Sequence, residues 1–87
     1  MQHPNLMYYL GKGAPKDYKQ AEHWFRRAAE QGDVDAQTNL GGLYYQGKGV
    51  AQDYEQAKYW FQKAAAQGFA KAQYDLGLIY FLGKGIE

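Results

Sequence analysis

The side chains able to do chemistry in this chain are few, and they are scattered. Its only histidines are His3 and His23. The residue four positions after His23 is Arg27, so a metal-binding pair on one helix face is missing. There is no serine and no cysteine, and the single threonine, Thr38, has no histidine near it in the repeat frame described below. A hydroxyl or thiol nucleophile with its base is therefore not found. The acids Asp33 and Asp35 stand where a helix begins, and helix-start electrostatics account for them. Gly-Lys-Gly occurs at 11–13, 47–49 and 83–85. A glycine-rich loop with lysine can cradle phosphate, but here no strand precedes it. Each copy instead follows the end of a helix, where the dipole repels anions. The plainer reading is a glycine stop with a solvated lysine. No enzyme activity, metal site or cofactor is expected.

What remains is a pattern of aromatics, small residues and glycines, and it repeats. Setting Ala14–Gly49 against Val50–Gly85 gives 18 identities in 36 positions. They include Asp17/Asp53, Trp24/Trp60, Phe25/Phe61, Gly41/Gly77 and Tyr44/Tyr80. A partial copy leads in, with Tyr8, Gly11, Lys12 and Gly13 placed 36 residues before Tyr44, Gly47, Lys48 and Gly49. The chain divides into a partial repeat over 1–13 and repeats over 14–49 and 50–85, all within one domain over 1–87. A fixed period of this size marks a solenoid, which presents a surface more readily than a reactive pocket.

Within Asp53–Gly68 the apolar residues Tyr54, Ala57, Trp60, Phe61, Ala64 and Ala65 follow helical spacing. Asp53 with Gln56, and Asp17 with Gln20, read as N-caps with capping boxes. Gly32 and Gly68 read as stops. These patterns predict helices over 17–31 and 53–67, here called type B. Ala36, Leu40, Leu43 and Tyr44 predict a second kind of helix, type A, over 33–46, with its copy over 69–82. A truncated type-A helix is predicted near 4–10. Gly41 and Gly77 fall inside helices, where glycine costs about 1 kcal/mol relative to alanine. Their repeated placement predicts close approach by a partner helix, with Trp24 or Trp60 as the bulky group. Trp24, Phe25, Trp60 and Phe61 are predicted core.

The pattern from Ala36-x3-Leu40-Gly41 through Gly47-Lys48-Gly49, Asp53-Tyr54, Trp60-Phe61 and Ala64-Ala65 to Gly68 resembles the Sel-one-like repeat. This family is a 36-residue relative of the tetratricopeptide repeat, and the resemblance runs from about Leu6 to Gly85. It implies an all-α fold, a right-handed superhelix of antiparallel helix pairs, about two and a half repeats long. It also implies an adaptor or scaffold role in protein complexes. By analogy with such solenoids the type-A helices line a concave face. That places Tyr9, Asp35, Thr38, Asn39, Tyr45, Lys71, Tyr74 and Phe81 where a partner peptide or helix would bind. Tyr9, Tyr45 and Phe81 share a register and form either an aromatic ladder in the groove or part of the packing.

Net charge is +1, with acids and bases interspersed, which argues against a nucleic-acid partner. No apolar stretch approaches the roughly 18 residues that span a bilayer, so no membrane partner is expected. A signal peptide is not visible, and localisation stays open between the cytoplasm and, for a piece of a longer precursor, the periplasm or exterior. The last type-A helix, with Leu76, Leu78, Ile79 and Leu82, is apolar nearly all round and has no type-B helix after it. Such a helix tends to be buried, so self-association through it is expected. The favoured function is a protein-interaction module, most often part of a longer array. The rival is a self-assembly element, homodimeric or helix-swapped, with no other ligand.

Overall fold

The computed structural model describes residues 17–84. They form four helices: α1 (Tyr18–Glu30), α2 (Val34–Gln46), α3 (Tyr54–Ala66) and α4 (Ala70–Leu82). The predicted bounds hold to within about a residue because local chemistry sets them. Asp17 Oδ1 accepts from the Gln20 N–H at 3.1 Å, and Asp33 Oδ1 accepts from the Ala36 N–H at 2.9 Å. Asp53 Oδ1 accepts from Glu55 and Gln56 at 3.0 and 3.2 Å. Each bond satisfies an orphan donor of the first turn and contributes about 1 kcal/mol. At α4 the repeat departs from this rule: Phe69 stands where Asp33 stood, and no side chain caps the helix. The truncated helix predicted near 4–10, with Tyr9 and the first Gly-Lys-Gly, lies outside the described residues.

Packing follows chain order, α1 on α2, α2 on α3 and α3 on α4, and builds an all-α helical repeat solenoid. The turn between α2 and α3 needs glycine twice. Gly47 ends α2 at φ 73°, and Gly49 at φ 75° lies so close to Tyr18 that a Cβ would stand 2.5 Å from its carbonyl oxygen. In that φ range a side chain is strained. The α2–α3 loop thereby rests against the start of α1.

Two apolar clusters make the core. The first joins Ala21, Phe25 and Ala29 of α1 to Ala36, Leu40 and Leu43 of α2, with Trp60 of α3 inserted into this hairpin. The second joins Ala57 and Phe61 of α3 to Ile79 of α4. Two expectations are corrected here. The group that approaches Gly41 is Phe61, not a tryptophan: a Cβ on Gly41 would lie 2.8 Å from the Phe61 ring. And Trp24 is not core. It is 39% exposed while Trp60 is 5% exposed. Trp60 has a preceding hairpin to enter, whereas no described helix precedes α1.

The second mid-helix glycine differs from the first, since a Cβ on Gly77 would meet nothing within 4 Å. Gly41→Ala should therefore destabilise by about 1–3 kcal/mol through overpacking. Gly77→Ala should be neutral or stabilise by up to about 1 kcal/mol through helix propensity. Urea unfolding of both variants checks this; equal shifts of one sign would contradict the packing described.

Candidate functional site

The type-A helices α2 and α4 both pack on α3 and leave a groove between them. Gly42, Tyr45 and Gln46 of α2, Phe61 of α3, and Lys71, Asp75, Leu78 and Ile79 of α4 line a pocket of about 220 Å³. Phe61 and Ile79, almost wholly buried, make its apolar base. Gly42 leaves the wall bare, since a Cβ there would meet nothing within 4 Å. On the rim Lys71 Nζ donates to Asp75 Oδ2 at 3.0 Å, one helical turn apart. Tyr45 is half-buried and does two jobs: it lines the pocket, and its ring packs on Tyr54 at 5.4 Å between centroids.

Of the residues that the repeat register puts on the concave face, the structure brings together Tyr45, Lys71, Asp75 and Leu78. Asp35 is exposed in the first turn of α2, and Asn39 is half-buried. Thr38 is a correction: it is buried, and its hydroxyl donates to the Val34 carbonyl at 3.0 Å, so it offers nothing to a partner. Tyr74 and Phe81 are strongly exposed on α4, beyond the pocket. The ladder expectation divides accordingly: Tyr45 is partly packing, Phe81 is free surface, and Tyr9 is outside the described residues. In the self-association set, Leu78 and Leu82 are exposed and Leu76 is half-buried. Ile79 is the exception: it is 1% exposed and belongs to the internal core with Phe61.

Sequence reasoning missed two features. Phe61 was assigned to the core alone, yet it also floors the groove. The loop lysines were read as solvated, yet Lys48 Nζ sits 5.0 Å from the Tyr18 ring centroid and Lys84 Nζ 5.7 Å from that of Tyr54. Both pairs span 30 residues, the signal that would have found them. Cation–π contacts of this kind are worth about 0.5–1 kcal/mol when exposed.

Electrostatics act along the repeat and away from the groove. Arg26 donates to Glu22 through Nε at 2.7 Å and to the Tyr44 hydroxyl. Partial burial by itself lowers the proton affinity of this guanidinium. The bonds to Tyr44 and Glu22 outweigh that, and its pKa rises above the ordinary arginine value. One period later Gln62 Nε2 donates to the Tyr80 hydroxyl at 3.3 Å, a neutral copy of the same contact. Among the described residues no helix is long and apolar enough to cross a membrane.

Stacked helix pairs with a groove between them define the class: an all-α helical-repeat protein. Comparison with known families then names the repeat. The Sel1 repeat model matches residues 6–33, 34–69 and 70–87, and the chain belongs to the Sel1 repeat family. Proteins of this family are generally protein–protein interaction scaffolds and not catalysts. The second and third matches open on the type-A helices α2 and α4, so the family's unit cuts the same period in a different frame. Among solved structures, the chain is similar to a Sel1 repeat protein from Oxalobacter formigenes, at 38% identity and a TM-score of 0.85 over 91% of this chain. It is also similar to c5321, a protective antigen of uropathogenic Escherichia coli with an SLR fold, at 48% identity and a TM-score of 0.87 over 94% of this chain. The chain spans 32% and 18% of the lengths of those two. A search of curated proteins gives no match.

The double role of Tyr45 separates it from the rim. Tyr45→Ser should lower stability by about 1–2 kcal/mol through loss of its aromatic contact and burial. Lys71→Ala, removing a surface ion pair, should change it by less than about 0.5 kcal/mol. Urea unfolding checks both; a large loss for Lys71→Ala would show that the rim is structural.

Proposed function

We propose that the chain is a non-catalytic interaction module that holds a peptide or helix of a partner protein in the groove between α2 and α4, within a scaffold or adaptor. The observation that carries this reading is the bare wall at Gly42, opening onto the Phe61–Ile79 base. An apolar side chain of a partner would enter there, while Lys71, Asp75 and Gln46 give its backbone and flanking residues polar contacts. Hot spots of protein interfaces concentrate in such desolvated pockets with polar surrounds. The longer relatives support a role inside a larger array of repeats, in which successive grooves add contact area.

A second reading, structural self-assembly, is favoured by exposed apolar residues of α4 beside the groove. Tyr74, Phe81 and Leu82 are all more than half exposed there, an apolar patch unusual for a free surface.

The groove reading is tested by filling it. Gly42→Leu places in α2 the residue that α4 carries at the same repeat position, Leu78, and the site has room for it. Helix propensity should make the variant at least as stable as the parent. Peptides selected for binding to the parent should lose at least about tenfold in affinity, roughly 1.4 kcal/mol. Peptides that bind both proteins equally would remove the groove from the account.

A further inference from the structure

The groove has a chemical sign as well as a shape, set by residues that the repeat leaves free to differ. Moved by one period, every α2 and α4 residue of the pocket lining changes identity: Asp35 becomes Lys71, Asn39 becomes Asp75 and Gly42 becomes Leu78. Interleaved positions are constant, as at Ala36/Ala72, Leu40/Leu76 and Gly41/Gly77. The Lys71–Asp75 ion pair therefore has no copy on α2, where the same positions hold Asp35 and Asn39. The repeat does not need that pair in order to fold.

The pair is also lopsided. The Lys71 side chain is 68% exposed and the Asp75 side chain 20%. A lysine on a flexible, well-hydrated stem loses little by turning to water, because surface pairs of this kind contribute little. Asp75 is the half that stays, in the same lining as Leu78, Phe61 and Ile79. The α2 wall adds the same sign. Gln46, the last residue of α2, lines the pocket, so the partial negative charge of that helix end lies there. In the last turn α1 carries Arg27 and α3 carries Lys63, whereas α2 carries no base. Lys48, just beyond the end of α2, is engaged with the Tyr18 ring.

We infer that the partner segment presents a basic residue, arginine or lysine, close to the aliphatic side chain that fills the pocket. The aliphatic group passes Gly42 and rests on Phe61 and Ile79. The cation takes the Asp75 carboxylate in place of Lys71, which turns to solvent, and the α2 terminus favours the same charge. An acidic segment would meet both unfavourably. The new bond is charge-assisted and made at contact distance, so it selects among docked partners without steering them from afar. This inference rests on the groove reading and names the partner's chemistry.

Peptides from a displayed random library, selected on the full chain, are the probe, and those that weaken on Gly42→Leu report the groove. Their sequences should share an aliphatic residue with an arginine or lysine within about four positions of it, one helical turn. Asp75→Asn keeps the shape and removes the charge, and it should weaken these peptides at least about tenfold. Lys71→Ala should change their affinity by less than about threefold. Replacing the peptide's base by glutamine should cost the parent as much as Asp75→Asn does, and should cost that variant little more, as coupled partners require. The peptide substitution leaves the protein untouched, so it decides the matter even if circular dichroism shows Asp75→Asn to be unfolded. Groove-dependent peptides that carry no base, or that weaken with Lys71→Ala and not with Asp75→Asn, would overturn the inference and leave the groove standing. Peptides that bind Gly42→Leu as well as the parent, or a selection that returns none, would overturn both.

Discussion

The ring of Phe61 lies on the backbone of Gly41, and the remaining packing depends on that contact. A methyl group on Gly41 would stand 2.8 Å from the ring, so α2 and α3 come together only because the side chain is absent. Close approach carries the neighbouring Trp60 into the α1–α2 hairpin and sets Gln67 against Gln37. These contacts join two hairpins that share few covalent constraints. A glycine inside α2 weakens that helix by about 1 kcal/mol in isolation. Burial of Trp60 and Phe61 offsets this, since each large side chain taken from water contributes about 1.5–3 kcal/mol.

The groove is a consequence of the same approach. With α3 pressed onto α2, Phe61 reaches the groove and meets Ile79, and this pair becomes the base of the pocket. Gly42, next to the glycine that receives Phe61, keeps the wall open. The fold and the proposed binding groove thus draw on adjacent residues with different tasks: Gly41 is filled from within the chain, and a Cβ on Gly42 would meet nothing. The charges near the groove are few, and the Lys71–Asp75 pair neutralises itself. Recognition there would depend on shape and apolar area more than on long-range steering.

Much of this fold was legible in the sequence. The caps at Asp17 and Asp53, the acidic helix start at Asp33 and the stops at the paired glycines are local signals, and local signals survive without knowledge of neighbours. Residues whose fate depends on a neighbouring element were harder to read. Trp24 and Trp60 occupy identical repeat positions, yet one has a hairpin to enter and the other has none described before it. Ile79 and Leu78 are adjacent in an all-apolar helix, and periodicity could not say which of them met Phe61. Thr38 was placed on the concave face by analogy, but its burial follows from how closely the helices pack. The lysine–tyrosine pairs escaped because their shared spacing of 30 residues gains meaning only once loop and helix are brought together in space.

The central claim is that the α2–α3 contact organises the molecule and that α4 is the element it leaves half covered. Native-state hydrogen exchange on dilute protein measures this helix by helix, because protection reports the free energy of local opening. Amides of α2 and α3 should exchange last and together, with α4 opening earlier. Slowest exchange in α4, or independent opening of α2 and α3, would contradict the account.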